Sequence, residues 1–339
     1  MKHLLGVCII ILWACAQGGM SRILNESSIV KAHQQWMIKY GRTYTNDLEM
    51  EKRFQIFKEK FEYIEKFNNA GNKSYTLGLN PHSDLTNEEF IASYHGFKAP
   101  SHLNSSQIRS NTILFNLTSI SPPYLDYLDW RSKGAVTDIK DQNKCGACWA
   151  FASVAAVEAV YQISEGILVP LSEQQLIDCD KKSEGCVSGS FDNGFQAIID
   201  SDGVLQEADY PYQALVQTCQ LNEYSEPDAY ISSYKYIKQN DEEQLLAAVT
   251  QQPVTVSISP SPEFQAYEEG VYSGSCGTEN THAVTIVGYG TTEEGLKYWL
   301  IKNSWSKNWG EDGYMRIRRQ SGGPEGHCGL AKFGGYPVI

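Results

Sequence analysis

Beyond its first 19 residues, the chain confines its cysteines to the C-terminal part, and this distribution constrains the fold more than any other feature. None lies between residues 20 and 144, and seven follow, at positions 145, 148, 179, 186, 219, 276 and 328. In an oxidising compartment an even set of cysteines pairs, whereas an odd set leaves one thiol over. We therefore expect three disulfide bridges and one free thiol, all after residue 144.

The N-terminus predicts entry into the secretory pathway. Lys2 and His3 precede a 12-residue apolar run from Leu4 to Cys15, which ends in an A-x-A cleavage pattern. Because such a run is too short to span a bilayer and suits a signal-peptide core, we assign residues 1–19 to a signal peptide rather than a membrane anchor. The expected destination is the vacuole or lysosome, or the extracellular space. Four N-x-S/T sequons fit this route: Asn25, Asn72, Asn104 and Asn116.

Charge divides the chain into two parts. The whole chain of 339 residues carries a net charge of −12, which argues against a nucleic-acid partner held by phosphate contacts. Residues 1–123 hold 13 basic and 10 acidic groups, whereas residues 124–339 hold 15 basic and 30 acidic groups. Opposite net charges attract at neutral pH, and the attraction weakens as carboxylates take up protons. This indicates a front segment that docks on the rest of the chain.

Hydrophobic periodicity predicts a helical half followed by an antiparallel β half. Between Ile29 and Asn69, aromatic residues recur at spacings of three and four, and residues 100–123 have the composition of an exposed linker. Cys148 to Gln162 is Ala-rich and apolar almost all round, which predicts a buried helix ending near Gly166. Four strand-like runs follow between Gly-rich turns: Val254–Ile258, His282–Val287, Lys297–Ile301 and Tyr314–Ile317.

One set of residues has the chemistry of nucleophilic catalysis. Cys148 begins the buried helix, where free N–H groups and the helix dipole stabilise a thiolate. A thiolate that cleaves amides needs a proton donor, and only His282 and His327 follow residue 123. We expect His327 to be solvated in its Gly-rich loop, so His282, at the start of an apolar strand, is the candidate. The amide of Asn303 would orient the His282 ring, and Gln142 would donate to an oxyanion together with the N–H of Cys148.

Other interpretations of these residues explain less. Cys145 and Cys148 have the C-x-x-C spacing of a redox motif, but the βαβ context that such a motif requires is missing. A zinc site would need a second pair of ligands at a suitable spacing. Considered alone, each of these residues has a simpler interpretation: His282 as a structural histidine, Asn303 as a turn residue and Gln142 as a surface amide. The presence of all of them beside Cys148 favours catalysis.

The motif around Cys148 resembles that of one protease family. Residues 145–149, Cys-Gly-Ala-Cys-Trp, fit the C-G-[SA]-C-[WY] pattern of papain and the cathepsins, and His282 and Asn303 follow Cys148 by 134 and 155 residues. From about residue 30 to the C-terminus the chain resembles a papain-family cysteine endopeptidase precursor of the plant type. The front segment is similar to the family's inhibitory propeptide through five residues of its E-R-F-N-I-N pattern: Glu49, Arg53, Phe57, Ile64 and Asn68.

The resemblance implies a fold and a division into domains. The fold class is α+β: a papain-like two-lobed fold, with a helical left lobe and an antiparallel β-barrel right lobe, preceded by a helical propeptide. Residues 20–123 would form the inhibitory propeptide, with a helical inhibitor domain at about 33–90 and a linker. Residues 124–339 would form the mature peptidase domain, with a mainly helical lobe at about 136–228 and a mainly β lobe at about 229–339.

The resemblance also implies roles for individual residues. The implied bridges are Cys145–Cys186, Cys179–Cys219 and Cys276–Cys328, which leave Cys148 free. Substrate-binding positions would be Gly189, Phe191, Ser257, Ala283, Trp305 and Phe333. Two phenyl rings and a small wall favour an apolar substrate residue two positions before the cut. We expect no inserted loop across the cleft, hence an endopeptidase, and neither a cofactor nor a metal.

The expected partners are polypeptide substrates, the chain's own propeptide as inhibitor and cystatin-type inhibitors. We expect a monomer, with no nucleic acid and no membrane bound after signal removal.

Four positions depart from the family pattern. Lys60 replaces the middle Asn of E-R-F-N-I-N, and His82 stands where G-x-N-x-F-x-D has Phe. Ser188 replaces the first residue of a Gly-Gly pair, where its side chain would crowd the cleft, and Thr281 precedes the candidate histidine in place of Asp or Asn. A histidine at position 82 would charge in acid and loosen the propeptide. The rival interpretation of the chain is a non-catalytic papain homologue that serves as a storage or binding protein.

Overall fold

The computed structural model describes residues 26–99, 126–222 and 225–339. The expected signal peptide, the linker and the sequons Asn25, Asn104 and Asn116 lie outside these ranges. Two compact units emerge: Met1–Gly71 with Pro81–Thr86, and Asn72–Asn80 with Asn87–Ile339. Residues 72–80 and 87–99 of the expected propeptide therefore group with the expected peptidase domain. Within the described ranges, no helix is long and apolar enough to cross a membrane.

The first unit is built on two helices, α1 over residues 26–39 and α2 at Asp47–Asn69. Asn46 caps α2 by accepting a hydrogen bond from the N–H of Glu49. The aromatic residues whose spacing indicated helices also form the core between them, since Phe57 is fully buried and packs on Trp36 and His33.

Two basic side chains of α2, at positions of the E-R-F-N-I-N pattern, bind the backbone of residues 82–84 in the first unit. Arg53 donates to the carbonyl of Asp84 at 2.9 Å, and Lys60 donates to the carbonyl of His82 at 2.9 Å. Lys60, which replaces the Asn of the family pattern, therefore binds the backbone of His82, which replaces the Phe of the second family motif. His82 itself is buried.

The second unit combines helices with one large sheet. Its helices are α3 (Asn87–Tyr94), α4 (Cys148–Glu165), α5 (Glu173–Cys179), α6 (Phe191–Asp200), α7 (Glu242–Val249) and α8 (Pro262–Gln265). Its strands are β1 (Tyr75–Leu77), β2 (Leu128–Asp129), β3 (Ser233–Tyr236), β4 (Val254–Ile258), β5 (Tyr267–Tyr272), β6 (His282–Thr291), β7 (Lys297–Lys302), β8 (Tyr314–Arg318) and β9 (Gly334–Val338).

The sheet corrects one expectation. Its order in the described residues is β1-β5-β8-β7-β6-β4-β9-β3, with β2 beside β6, so it is an open path and not a closed barrel. It is antiparallel except for the parallel pair β5–β8. Closure depends on which strands pair at the two ends of the path. The alternation of apolar residues marks each strand but does not specify those partners.

The buried helix α4 organises the helical half. It is apolar around most of its circumference and ends at Gly166, whose φ of 75° gives the left-handed cap that glycine adopts without strain. The prediction of this helix and of its end is confirmed. Three disulfides connect the described residues, Cys145–Cys186, Cys179–Cys219 and Cys276–Cys328, in the pairing that the resemblance implied. Cys148 is the free cysteine of the described residues.

Candidate active site

Cys148 lies at the first position of α4 and is completely buried. Burial raises the pKa of its thiol to about 11, although the backbone amides of Ala283, Gly96 and others near the sulfur act in the opposite direction. Two of those amides, from Gly96 and Phe97, belong to the segment that follows α3. In this structure the sulfur is therefore a covered, protonated thiol.

His282 and Asn303 are brought together by the pairing of β6 with β7. His282 is the first residue of β6, and Asn303 follows the last residue of β7. The His282 Nε2 donates to the Asn303 Oδ1 at 2.8 Å, and the indole of Trp305 lies over the ring with centroids 4.6 Å apart. Burial lowers the pKa of His282 to about 3, with a further contribution from the nearby ring of His95. The imidazole is therefore neutral here, and its orientation is fixed.

Gln142 is fully buried, so the interpretation as a surface amide is excluded. Its Nε2 donates to the carbonyl of Cys145 at 2.8 Å and to the carbonyl of Tyr94 at 3.0 Å. Its Oε1 accepts from the Ser304 hydroxyl at 2.7 Å, and the backbone N–H of Gln142 donates to the Ser304 carbonyl at 2.9 Å. The Gln142 side-chain amide is thus held in one orientation and already donates to a peptide carbonyl of Tyr94, which is the kind of bond that an oxyanion donor makes.

The segment after α3 is bound to Gly189 as an extended chain. The N–H of Gly189 donates to the Gly96 carbonyl at 2.8 Å, and the N–H of Lys98 donates to the Gly189 carbonyl at 2.8 Å. The two chains run parallel at this bridge. A Cβ on Gly189 would meet the indole of Trp149 at 2.5 Å, so position 189 requires glycine.

Phe97 fills an apolar pocket beside this bridge. Its side chain is 5 % exposed and packs on Phe191 and Phe333, with ring centroids 5.6 and 5.9 Å away. Ala283 belongs to the same buried cluster. Phe191 and Phe333, two of the residues expected to form a specificity pocket, therefore pack on a phenyl ring that the chain itself supplies.

Ser257 and a residue that sequence reasoning missed form a polar network beside β4. The Asn280 amide Nδ2 donates to the Ser257 hydroxyl oxygen at 2.8 Å and to the Gly329 carbonyl at 3.0 Å. Its Oδ1 accepts from the Ser259 hydroxyl at 2.6 Å. No motif marks Asn280, and only its position two residues before His282 could have drawn attention to it. Because these polar groups bond to one another, they offer little to a charged ligand.

Ser188 does not obstruct the bridge to Gly189. Its hydroxyl lies 3.4 Å from the carboxylate of Glu184, and its carbonyl accepts from the Glu184 N–H at 2.7 Å. The side chain is thus accommodated in a turn of its own segment. The expected crowding of the cleft at this position is not seen.

His327 corrects another expectation, because it is partly buried rather than solvated. Its ring packs on Tyr272, and burial lowers its pKa. A ring nitrogen of His327 and the sulfurs of Cys276 and Cys328 lie within 4.8 Å of one another among the described residues. Both sulfurs belong to one disulfide, however, and cannot act as thiolate ligands.

Comparisons with known proteins agree with this architecture. Residues 125–338 match the family model described as papain family cysteine protease, and residues 33–90 match the cathepsin propeptide inhibitor domain. Fruit bromelain of Ananas comosus is 42 % identical over 97 % of this chain and 91 % of its own. A senescence-specific cysteine protease of Arabidopsis thaliana is 43 % identical over 96 % of this chain and 95 % of its own.

Solved structures show the same relationship. A recombinant stem bromelain precursor superposes with a TM-score of 0.85 at 43 % identity, covering 92 % of this chain and 99 % of that one. Bromelain from Ananas comosus in complex with the E64 inhibitor matches 63 % of this chain and 99 % of its own, with a TM-score of 0.62 and 47 % identity. The fold and site thus define a thiol protease with its propeptide. This chain belongs to the papain family of cysteine proteases.

Proposed function

We propose that the protein is a cysteine endopeptidase of the secretory pathway, made as a zymogen. The Cys148 thiolate attacks the scissile carbonyl, and the resulting oxyanion accepts hydrogen bonds from the Gln142 Nε2 and the Cys148 N–H. His282 protonates the leaving amine. Water then attacks the thioester with His282 as base, while Asn303 keeps the ring aligned.

The position of the Tyr94 carbonyl carries this proposal. This carbonyl accepts a hydrogen bond from the Gln142 Nε2 at 3.0 Å. Two residues further along the chain, the N–H of Gly96 lies near the Cys148 sulfur. A peptide carbonyl thus already binds to the group that would receive a substrate's oxyanion. The prosegment occupies the donors that a substrate would use, which supports both a proteolytic site and its inhibition by the chain itself.

The same segment supports endopeptidase activity and an apolar preference. It runs along the site from Tyr94, at the end of α3, to Lys98, whose N–H donates to the Gly189 carbonyl, and this extended path supports a cleft that holds a polypeptide chain. The ring of Phe97 packs against Phe191 and Phe333, which supports a pocket that accepts an aromatic side chain. We propose that substrates place a medium aliphatic or aromatic residue there, two positions before the cut.

The processing scheme follows from the sequence. We propose removal of a signal peptide at residues 1–19 and of a prosegment at residues 20–123, which leaves a mature domain at 124–339. The partners are polypeptide substrates, the prosegment and cystatin-type inhibitors, and the mature enzyme is a monomer in the vacuole, lysosome or extracellular space. Of the proposed sequons, Asn72 is exposed in the structure.

The test is hydrolysis of fluorogenic peptides after acid treatment of the purified precursor. One peptide carries Phe and its matched control carries Asp two positions before the cut. Parallel reactions contain the E64 epoxide or use the Cys148→Ala precursor. Acid-triggered hydrolysis of the Phe peptide, blocked by the epoxide and absent in Cys148→Ala, supports the proposal.

Two results would contradict the proposal. A shortened wild-type chain that neither hydrolyses peptides nor reacts with the epoxide would favour the non-catalytic homologue. Equal hydrolysis of both peptides would overturn the assigned pocket.

A further inference from the structure

His95 joins the prosegment to the candidate catalytic histidine. Its ring stacks on His282, with centroids 5.8 Å apart and planes 28° apart, and lies parallel to the indole of Trp305 at 6.4 Å. Its Nδ1 is 2.9 Å from the Thr281 hydroxyl. The next two residues, Gly96 and Phe97, both donate backbone hydrogen bonds to the Thr281 carbonyl. His95 therefore lies where the prosegment is bonded to Thr281, the residue directly before His282.

The environment of His95 favours the neutral ring. Its Nε2 is buried and has no hydrogen-bond partner in the described residues. The Thr281 hydroxyl can accept from Nδ1, which leaves Nε2 as an unprotonated acceptor. A second proton would place an N–H without an acceptor in this site and put a positive charge beside His282, so it is disfavoured.

Among the described residues, the neighbours of the His95 ring supply no compensating negative charge. Phe90 comes from α3, Thr281 directly precedes β6, His282 begins β6, and Trp305 lies in the loop after β7. Within the described residues, the ionisable side chain facing His95 is His282, which is itself repelled by a charge on His95. Burial lowers the pKa of His95 to about 4 in this docked state.

We infer that His95 is the acid-sensing group of the prosegment, and that its protonation releases residues 94–98 from the site. This inference rests on the proposed function of the cleft. The pair of Cys148 and His282 holds the same number of protons as thiol and imidazole or as thiolate and imidazolium. Conversion of that pair on release is therefore insensitive to pH, whereas His95 takes up a proton.

The sign of the effect follows from linkage. A histidine with a depressed pKa in the docked state binds protons better when released, so docking is strongest above its ordinary pKa of about 6.5. Affinity then falls as the pH drops from about 6.5 toward 4, by at most about tenfold per pH unit. Acid is thus the condition that opens the site.

The first test measures docking without catalysis. In the full-length His282→Asn precursor, which lacks the catalytic base and in which Cys148 stays a thiol below pH 7, hydrogen exchange of the Gly96 and Phe97 amides is followed from pH 7 to pH 4.5 and corrected for intrinsic exchange. We expect protection to fall by about tenfold or more between pH 7 and pH 5. In His95→Asn, which keeps a hydrogen-bonding group but does not titrate, protection at pH 7 is retained and the fall is largely lost.

The outcomes are decisive in either direction. An equal fall in His95→Asn, or a fall abolished only by His82→Phe, overturns the inference and assigns the effect to another group. Should His95→Asn lose protection already at pH 7, His95→Gln is the second neutral variant. If both lose it, the ring serves packing alone and the inference is wrong.

The second test measures the pH at which the active precursor begins to process itself. We expect this pH to be lower when His95 is replaced by Asn. The mature product is the same in both cases, so its peptidase activity is the internal control. A precursor that never processes contradicts the proposed function, while the exchange experiment still tests His95. A processing midpoint that is unchanged in His95→Asn contradicts the inference alone.

Discussion

The hydroxyl of Ser304 donates a 2.7 Å hydrogen bond to the Oε1 of Gln142, and both groups are buried. The bond fixes which end of the Gln142 amide points toward Cys145 and Tyr94. Because the N–H of Ser304 also donates to the Asn303 Oδ1 at 2.8 Å, one residue braces both the candidate oxyanion donor and the residue that orients His282.

Replacing this hydroxyl tests that arrangement. In Ser304→Ala, Gln142 loses the donor that fixes its amide, and we expect kcat of the processed enzyme to fall by about tenfold with KM nearly unchanged. Loss of a whole oxyanion donor in Gln142→Ala costs about 100-fold or more in kcat. Ser232→Ala, whose exposed hydroxyl contacts the Val338 carbonyl, is the matched control. A change confined to KM would show that Ser304 acts on substrate binding instead.

Phe97 is expected to hold the prosegment in the site. Truncation in Phe97→Ala removes a ring that is 5 % exposed, which weakens docking by about 3 kcal/mol. Labelling of Cys148 by the E64 epoxide in the intact precursor at pH 7 should therefore become much faster. Ile91→Ala on α3, where the side chain is 40 % exposed, is the matched control and should label like the parent. Equal rates in all three chains would show that the pocket contributes nothing to docking.

The reactivity of Cys148 should depend steeply on pH while the prosegment is docked. Burial raises the pKa of the thiol to about 11, so its thiolate fraction at pH 7 is about 100-fold below that of an ordinary cysteine with a pKa near 9. We expect alkylation by iodoacetamide to be slow in the precursor and to rise about tenfold per pH unit between pH 7 and pH 9. The processed enzyme, measured beside it, should react quickly at neutral pH. A precursor that reacts as fast would contradict the covered thiol.

Glu158 should be important for stability. It is buried on α4, accepts from the Lys140 ammonium at 3.0 Å and lies 3.9 Å from the buried Lys302 ammonium. Glu158→Gln leaves Lys302 without its nearest carboxylate, and we expect a loss of about 3 kcal/mol in denaturant unfolding of the Cys148→Ala precursor. Glu165→Gln, exposed at the end of α4, should change stability by less than about 0.5 kcal/mol.

The pH dependence of this loss has a definite sign. Burial alone would raise the pKa of Glu158, but Lys140 and Lys302 hold it below its ordinary value. The carboxylate therefore stabilises the fold above about pH 4.5, and this contribution disappears as the pH falls through its lowered pKa. The difference between the parent and Glu158→Gln should shrink accordingly in acid. A difference that stays constant down to pH 3 would mean that charge is not its cause.

Local patterns were sufficient for the elements and for the candidates of the site. The apolar run after Cys148 predicted α4 and its end, and the alternation in residues 254–258 predicted β4 with its observed bounds. Both signals lie within a few turns or one strand, where side-chain periodicity reports directly on burial. His327 was misjudged because a Gly-rich loop indicates a turn but not what packs on it.

Contacts between distant segments were beyond the reach of those patterns. The bridge between Phe97 and Gly189 joins residues far apart in the chain, and the hydrogen bond from Gln142 to the Tyr94 carbonyl does the same. Neither the burial of Gln142 nor the turn that accommodates Ser188 follows from its neighbours in sequence. The open path of the sheet likewise depends on how its outer strands pair.

The sequence by itself determined the family resemblance, the odd cysteine, the helix that begins at Cys148 and the residues His282, Asn303 and Gln142 as candidates. Only the tertiary structure decided that Tyr94 to Lys98 occupy the site and that His95 stacks on His282. It also placed Cys148 and His282 in surroundings that keep them uncharged. The physical reason is that residue chemistry is fixed locally, whereas burial and charge state depend on which distant segments exclude water.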